Sequence, residues 1–456
     1  MYMVLFKSYN IELEDEMIVS KFGGTSLADE KQFKKVYDIV KGNDERKFVV
    51  VSAPGKRFKE DNKITDLLYL THAHTKYSVP YDPVFKIIEY RFQKIKDELN
   101  LSVDLKQEFK IIREKLDNNC DEDYIVSRGE YLSALLLADY LGCRFIDAKD
   151  VIFFNYDGSI NSEKTNLKIK EYTDDCEKAI IPGFYGSCPD GNIKTFSRGG
   201  SDITGAIVAG AVNAKMYENW TDVSGFLMAD PRIVKNPKQI NKITYQELRE
   251  LSYMGASVLH DEAIFPVREA GIPINIKNTN EPENPGTIII GNDKMEAGYE
   301  NDYIITGIAG KKNFSIFYVH KEHMANEVGI IKRALEVFED RGISIDHIPS
   351  GIDSFSIVLP TESVDKFTHE IVEELKLKCK ADFVKVHNNL SLITTVGINM
   401  ASRPGISAKV FSALGKNNIN IRMIDQGSSE INIIVGVENK DFEIAIKAIY
   451  EAFVNN

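Results

Sequence analysis

Cysteine is scarce in this chain: its 456 residues hold five (Cys120, Cys143, Cys176, Cys188 and Cys379), with no CxxC pair. An odd, scattered set argues against a disulfide scaffold and a thiolate metal site, and predicts free thiols in a reducing, cytoplasmic setting. Also missing is any uninterrupted apolar run near the ~18 residues of a membrane helix, so no span is expected. The opening stretch MYMVLFKSYNIELEDEM places acids where a secretory leader is apolar. Positive charge is in deficit, since 56 Lys plus Arg against 68 Asp plus Glu leave a net charge of −12. That balance argues against a dedicated nucleic-acid binder and opposes long-range capture of an anion. An anionic substrate therefore needs local cations and aimed backbone N–H groups.

What is present fits a soluble globular protein, with 43% hydrophobic and 27% charged residues. At about 150 residues per domain, the length suggests roughly two to four domains. Residues 17–52 open with the apolar MIVS, pass through KFGGTS and a polar helical stretch, and reach FVVVSA. Strand, glycine turn, helix and strand in that order begin a parallel α/β sheet. Residues 60–143 read mainly as helix, through TDLLYL, DLKQEFKIIREKL and EYLSALLLADYLG, with the charged run a solvated face. From 145 to 290 the β-like runs RFIDA, AIIPGFYG, IPINIKN and GTIII return around the helical SDITGAIVAGAV. This alternation predicts a mostly parallel sheet with helices on both faces. Pro, Asn, Glu and Gly concentrate over 278–302, which predicts a boundary near 295.

Beyond that boundary the chain repeats itself at an offset of 76 residues. Phe314-Ser315-Ile316 matches Leu390-Ser391-Leu392, Gly329-Ile330 matches Gly405-Ile406, Ile345 matches Ile421, and Gly351 matches Gly427. A single ungapped offset argues for a duplicated domain. Each copy reads strand, helix, strand, strand, helix. The segment YIITGIAG in front of the first copy completes the second copy's sheet if copy one is inserted within copy two.

Two glycine turns carry the candidate chemistry. Lys21 ends the first strand ahead of Gly23-Gly24-Thr25-Ser26, and Ser197-Arg198-Gly199-Gly200-Ser201-Asp202 opens a helix. Glycines at such turns let backbone N–H groups approach an anion, and a helix N-terminus favours negative charge. A lysine adds a compact cation, an arginine a planar fork suited to a carboxylate. No GxxxxGK[ST] loop occurs. Taken alone, Ser201 and Asp202 also suit plain helix capping, and Glu130 in Ser127-Arg128-Gly129-Glu130 suits a first-turn acid.

Together, KFGGTS, VVVSAPGKRFKEDNKITDLL, SRGE, PGFYG, SRGGSD, TDVSG with ADPR, GASVLH and NTNEPENPGT over residues 17–290 resemble the aspartate kinase family. The repeat that follows looks like that family's paired ACT domains. The resemblance implies an amino-acid-kinase fold (α/β, mostly parallel sheet flanked by helices) at 1–295, followed by two ferredoxin-like βαββαβ ACT domains. These would span 310–388, and 300–309 plus 389–456. It implies ATP-dependent phosphorylation of the side-chain carboxylate of L-aspartate to 4-phospho-L-aspartate, the first step of lysine, threonine and methionine biosynthesis, with feedback inhibition by an end-product amino acid at the ACT domains. Mg²⁺ would be held mainly by the nucleotide phosphates, with no protein metal site.

By that resemblance, Lys21 contacts the transferring phosphate and Asp202 orients it. Arg198 would hold the substrate α-carboxylate and Glu130 its ammonium. Ser52, Gly199, Gly200 and Ser201 join them on the substrate side. Gly23, Gly24, Thr221, Asp222, Leu227, Arg232, Ser257 and Val258 are assigned to the nucleotide. The loop Gly225-Phe226-Leu227-Met228-Ala229-Asp230 departs from a common GVYTAD form, and Ser257 stands where a lysine is common. In the first repeat, Met324, Gly329, Ile330, Ile331, Ile345, Asp346 and Ser350 look like a lysine-responsive effector site. Threonine is the alternative effector, and the two copies should differ because Arg422 replaces Asp346. A homodimer or tetramer through the ACT domains is implied, with no nucleic acid or membrane partner. An aspartate side chain, with an ordinary pKa near ~3.9, is already ionised at neutral pH, so no general base is needed.

Overall fold

The computed structural model describes residues 17–197, 199–255, 265–292 and 303–454. By its contacts the chain divides into two units, Met1–Phe226 with Leu259–Gly291, and Leu227–Val258 with Asn292–Asn456.

The first unit is built on a mostly parallel sheet. Ile18–Phe22, buried at every position, lies between Arg46–Val51 and Met216–Thr221 and is parallel to both. Ala179–Pro182 and then Arg144–Phe145 extend the sheet beyond Arg46–Val51. On the other side Ile274–Asn278 adds a parallel strand, and Thr287–Ile290 an antiparallel one. The continuous apolar run Phe48–Val51 is what a strand covered on both faces requires. Its cover includes helices Glu30–Lys41, Ile64–Lys76, Asp82–Glu98, Leu105–Asp117 and Glu122–Leu141, whose apolar stripes meet in one core with Phe22, Phe33, Val49, Phe92, Leu136 and Trp220. The charged run at 105–117 buries Leu105, Phe109, Ile112 and Leu116 and turns its charges outward.

The second unit carries a five-stranded antiparallel sheet in the order Ser354–Pro360, Gly307–His320, Phe383–Val396, Asn432–Glu438, Met423–Asp425. Two long strands run through both repeats. Phe314–His320 pairs with Ser354–Pro360 and with Phe383–Leu390, whereas Gly307–Lys311 pairs with Leu392–Val396. The copies are therefore joined by shared strands. Ile345–Ser350 makes isolated bridges at His347–Val358 and Ser350–Phe355. Pro349 lies between them and has no N–H to continue a ladder.

The segment Leu227–Val258 groups with this unit, a finer division than the sequence boundary near 295 suggests. Its anchor is Glu247, fully buried on helix Tyr245–Tyr253, which accepts hydrogen bonds from Thr306 Oγ1 at 2.6 Å and the Ile398 N–H at 2.7 Å. Its other oxygen closes a capping box with Thr244. A buried carboxylate that is satisfied in this way fixes the segment, because losing any donor leaves a costly unpaired acceptor.

Candidate active site

Parallel strands place their following loops along one edge of a sheet, and ligands of such sheets bind outside the carboxyl ends. Here the chain leaves Phe22 into Gly23–Thr25, Val51 into Ser52–Gly55, Pro182 into Gly183–Phe184, and Met216–Thr221 ends at Thr221. With the start of helix Gly200–Ala211, these loops enclose a cleft of about 520 Å³. Its lining brings together Lys21, Gly23, Gly24, Ser52, Glu130, Gly199, Gly200, Ser201, Asp202 and Thr221, which lie far apart in the sequence. Lys56, Lys63 and Thr65 line it too. Sequence reasoning assigned these three no role, although they stand inside the APGKRFKEDNKITD motif.

Close backbone approach fixes two walls. A Cβ on Gly55 would lie 2.7 Å from the Gly24 carbonyl carbon and 2.8 Å from the Thr25 nitrogen, and the Gly55 N–H donates to Gly24 O at 2.7 Å. Only hydrogen fits between these loops. Arg91, 3% exposed, holds them from behind, donating to Gly55 O at 3.1 Å and to Asp61 at 2.9 Å. Gly55→Ala is expected to force the walls apart at the ~1–3 kcal/mol typical of overpacking. Activity should fall about tenfold or more, because small misplacements of reacting groups are costly. Steady-state rates beside a thermal melt check this; unchanged activity with normal folding would show that the loop contact does not shape the site.

The second wall is the turn into helix Gly200–Ala211. Gly199 precedes it at φ +60°, a left-handed conformation that costs glycine little. The free N–H groups of the first helical turn, Gly200 to Asp202, are unpaired within the helix and so favour an anion. Ser201 is 8% exposed and lines the cleft. Arg198 lies outside the described residues, as do Ser257 and Val258.

Lys21 is 7% exposed, and its Nζ sits 2.6 Å from Asp202 Oδ1. The two side chains form an ion pair. Asn219 was not singled out in the sequence. It is the parallel-strand partner of Lys21, its Nδ2 donates to Asp202 Oδ1 at 2.8 Å, and its Oδ1 faces Lys21 Nζ at 3.5 Å.

Glu130 is not a first-turn acid. Helix Glu122–Leu141 starts two turns earlier, so Glu130 projects from its middle, 4% exposed. Burial pushes its carboxyl up to about 8, against a smaller downward pull from the Ala53 backbone N–H. Among the described residues its Oε2 has no hydrogen-bond partner, and the residue lines the cleft. A buried carboxyl oxygen without a partner is costly, and a cationic ligand group that takes the place of its proton would satisfy it. Neighbouring Arg128 does not join it, being stacked 4.7 and 4.4 Å from the Tyr124 and Tyr131 rings.

Asp222 is exposed and accepts from Thr221 Oγ1 at 3.2 Å. Leu227 and Arg232 belong to the second unit, where Arg232 is exposed and pairs with Asp230 at 2.6 Å. In that unit Met324 is 5% exposed, Gly329 caps helix Ile330–Glu339 at φ +82°, Ile330 is buried, and Ile331 and Ile345 are half-buried. Ser350 is exposed, and Asp346, whose carboxyl burial pushes up, accepts a hydrogen bond from the Tyr253 hydroxyl.

The cleft lies at the carboxyl edge of the sheet with a paired lysine and a glycine-led helix N-terminus, groups that favour an anion, and residues 16–278 match the amino acid kinase family. Residues 393–453 match an ACT domain. Aspartokinase 3 of Bacillus subtilis (strain 168) is 36% identical over 455 residues, covering 96% of this chain and 98% of that protein. The crystal structure of Clostridium acetobutylicum aspartate kinase superposes with a TM-score of 0.89 at 53% identity, covering 96% of this chain and all of that one. E. coli aspartokinase III matches at 25% identity over 96% of this chain. Its complex with aspartate and ADP (99% covered) gives a TM-score of 0.69, and its complex with lysine and aspartate (100% covered) gives 0.71. The chain belongs to the amino acid kinase family and, within it, to the aspartate kinases with C-terminal ACT domains.

Proposed function

We propose that this protein transfers the terminal phosphoryl group of ATP to the side-chain carboxylate of L-aspartate, giving 4-phospho-L-aspartate. The observation that carries this reading is the Oε2 of Glu130, unpartnered among the described residues, in the same cleft as the Lys21–Asp202 pair. An amino acid whose ammonium meets Glu130 sends its side chain along the cleft toward Lys21. Arg198 is assigned the α-carboxylate by its place in SRGGSD. Ser52, Ser201 and the N–H groups of Gly199 and Gly200 hydrogen-bond substrate or phosphate. Gly23, Gly24, Thr221 and Asp222 serve the nucleotide.

The substrate carboxylate is already a nucleophile, so the barrier is the repulsion of two anions. Lys21 and the helix N-terminus neutralise charge on the transferring group, and the glycine loops fix its line of approach. Mg²⁺ supplies further charge neutralisation when it enters with ATP. The cleft's own acids suit that arrangement poorly as ligands, since Asp202 is taken by Lys21 and Asn219 and Glu130 is withdrawn by burial. The ion is therefore assigned to phosphate oxygens and water. Aspartate-dependent ADP release tests this reading, and equal or faster release with glutamate would overturn it.

The ACT unit is assigned to feedback inhibition, with lysine as the effector. Support comes from Asp346, whose carboxylate suits an effector ammonium, and from the helix start behind Gly329, which suits an α-carboxylate. In copy two the matching Arg422 pairs with Glu438 instead, and this copy is assigned to subunit contacts. Asp346→Ala is expected to weaken lysine inhibition about tenfold or more with uninhibited activity unchanged, as when one partner of a charge pair is removed. Lysine titrations of both proteins check this; an unaltered inhibition curve would place the effector elsewhere.

A further inference from the structure

We propose that Asn219 is a positioning residue for the phosphoryl transfer, holding Asp202 so that Lys21 is free to engage the transferring group. The inference rests on the role given to Lys21 above. Three elements meet at this point. Lys21 comes from the strand Ile18–Phe22, Asp202 from the first turn of helix Gly200–Ala211, and Asn219 from the strand Met216–Thr221. In the parallel register Lys21 and Asn219 are direct partners, so their side chains leave the same face of the sheet.

Asn219 is 3% exposed, and water does not substitute for it readily. Its amide is neutral and carries a donor and an acceptor on separate atoms. The donor reaches Asp202 Oδ1 at 2.8 Å, and the acceptor faces Lys21 Nζ at 3.5 Å. The lysine lies much closer to Asp202, at 2.6 Å, and both donors converge on the same carboxylate oxygen. When a phosphate draws Lys21 away, the amide still satisfies Asp202. Without the amide, the lysine is the carboxylate's remaining partner among the described residues, and leaving it for the phosphate strands a largely desolvated charge with only the water that reaches its exposed fifth. Asn219 thus lowers the cost of the move that the reaction requires, which is a turnover effect and not a substrate-binding effect.

The test is a double-mutant cycle on purified, full-length protein. Asn219→Leu, which removes both polar atoms while keeping the branched outline of the side chain, is expected to lower kcat about tenfold or more and to leave the aspartate KM within about twofold. In the Lys21→Ala background the same substitution should cost little further, because two residues acting as one unit are not additive. Asn219→Asp keeps the size but sets a carboxylate against Asp202, and it covers the case in which the leucine variant does not fold. It should lower kcat at least as far, again without raising the aspartate KM. Normal kcat in a folded variant would overturn the inference, and so would a full, additive loss in the Lys21→Ala background. Near-normal turnover of Lys21→Ala itself would instead remove the reading of the lysine on which the inference stands.

Discussion

Lys21→Ala is expected to cut turnover by about 10²-fold or more while the protein remains folded, as when a preorganised charge is taken from a reacting group. The lysine's position decides the size of the effect. It is the next-to-last residue of a strand buried at every position, so its backbone is held by neighbours on both sides and its side chain cannot be replaced by a mobile surface lysine. Lys56 and Lys63 line the same cleft but are exposed, and exposed cations are worth far less than desolvated ones. The stability cost should be modest. Removing one partner of a fully buried ion pair costs ~3–5 kcal/mol, but the Asp202 side chain keeps 20% exposure and the Asn219 amide. Turnover and a thermal melt measured together separate the two effects. Near-normal turnover would refute the lysine's role.

Glu130→Gln is expected to raise the aspartate KM by roughly 30-fold or more, the lower end of the ~2–5 kcal/mol lost when a buried charge pair is broken. The pH dependence is more telling. Burial raises this carboxyl from its ordinary value of 4.5 to about 8. Below that, the empty site holds a proton which an incoming ammonium must displace. The wild-type KM should therefore fall as pH rises toward about 8, by up to tenfold per unit, and then level off. The glutamine variant should lack that slope. Stability runs the other way. Between 4.5 and about 8 the folded protein binds more protons than the unfolded one, so this group's contribution is lost as pH climbs through that window. Glu130→Gln should then leave the empty enzyme as stable as wild type at pH 8, or more so. A KM that is insensitive to this substitution would remove Glu130 from the site.

Legibility in the sequence followed chemistry more closely than geometry. Motifs with glycines and charges named Lys21, Glu130 and Asp202, and the cleft gathers all three. The fold class was readable because buried parallel strands are apolar throughout, as Phe48–Val51 is, and because a constant offset exposed the duplication. Helix Asp82–Glu98 had its apolar stripe at Val84, Phe85, Ile88, Phe92 and Ile95, yet within a long helical stretch no cap drew attention to it. Glu130 was placed too near a helix start, since the polar SRGE looks like an entry while Ile125 and Val126 before it are buried. Asn219 gave no local signal at all. Its meaning comes from strand register, which sets it beside a residue 198 positions away. The grouping of Leu227–Val258 with the tail was hidden for the same reason, because Glu247 meets Thr306 and Ile398 only in the folded chain.

The sharpest measurement is a crystal structure with aspartate and a non-hydrolysable ATP analogue. The expected result puts the aspartate ammonium on Glu130 Oε2, with the substrate's side-chain carboxylate and the terminal phosphate both within reach of Lys21 Nζ. An aspartate bound away from Glu130, or a Lys21 that faces neither anion, would contradict it.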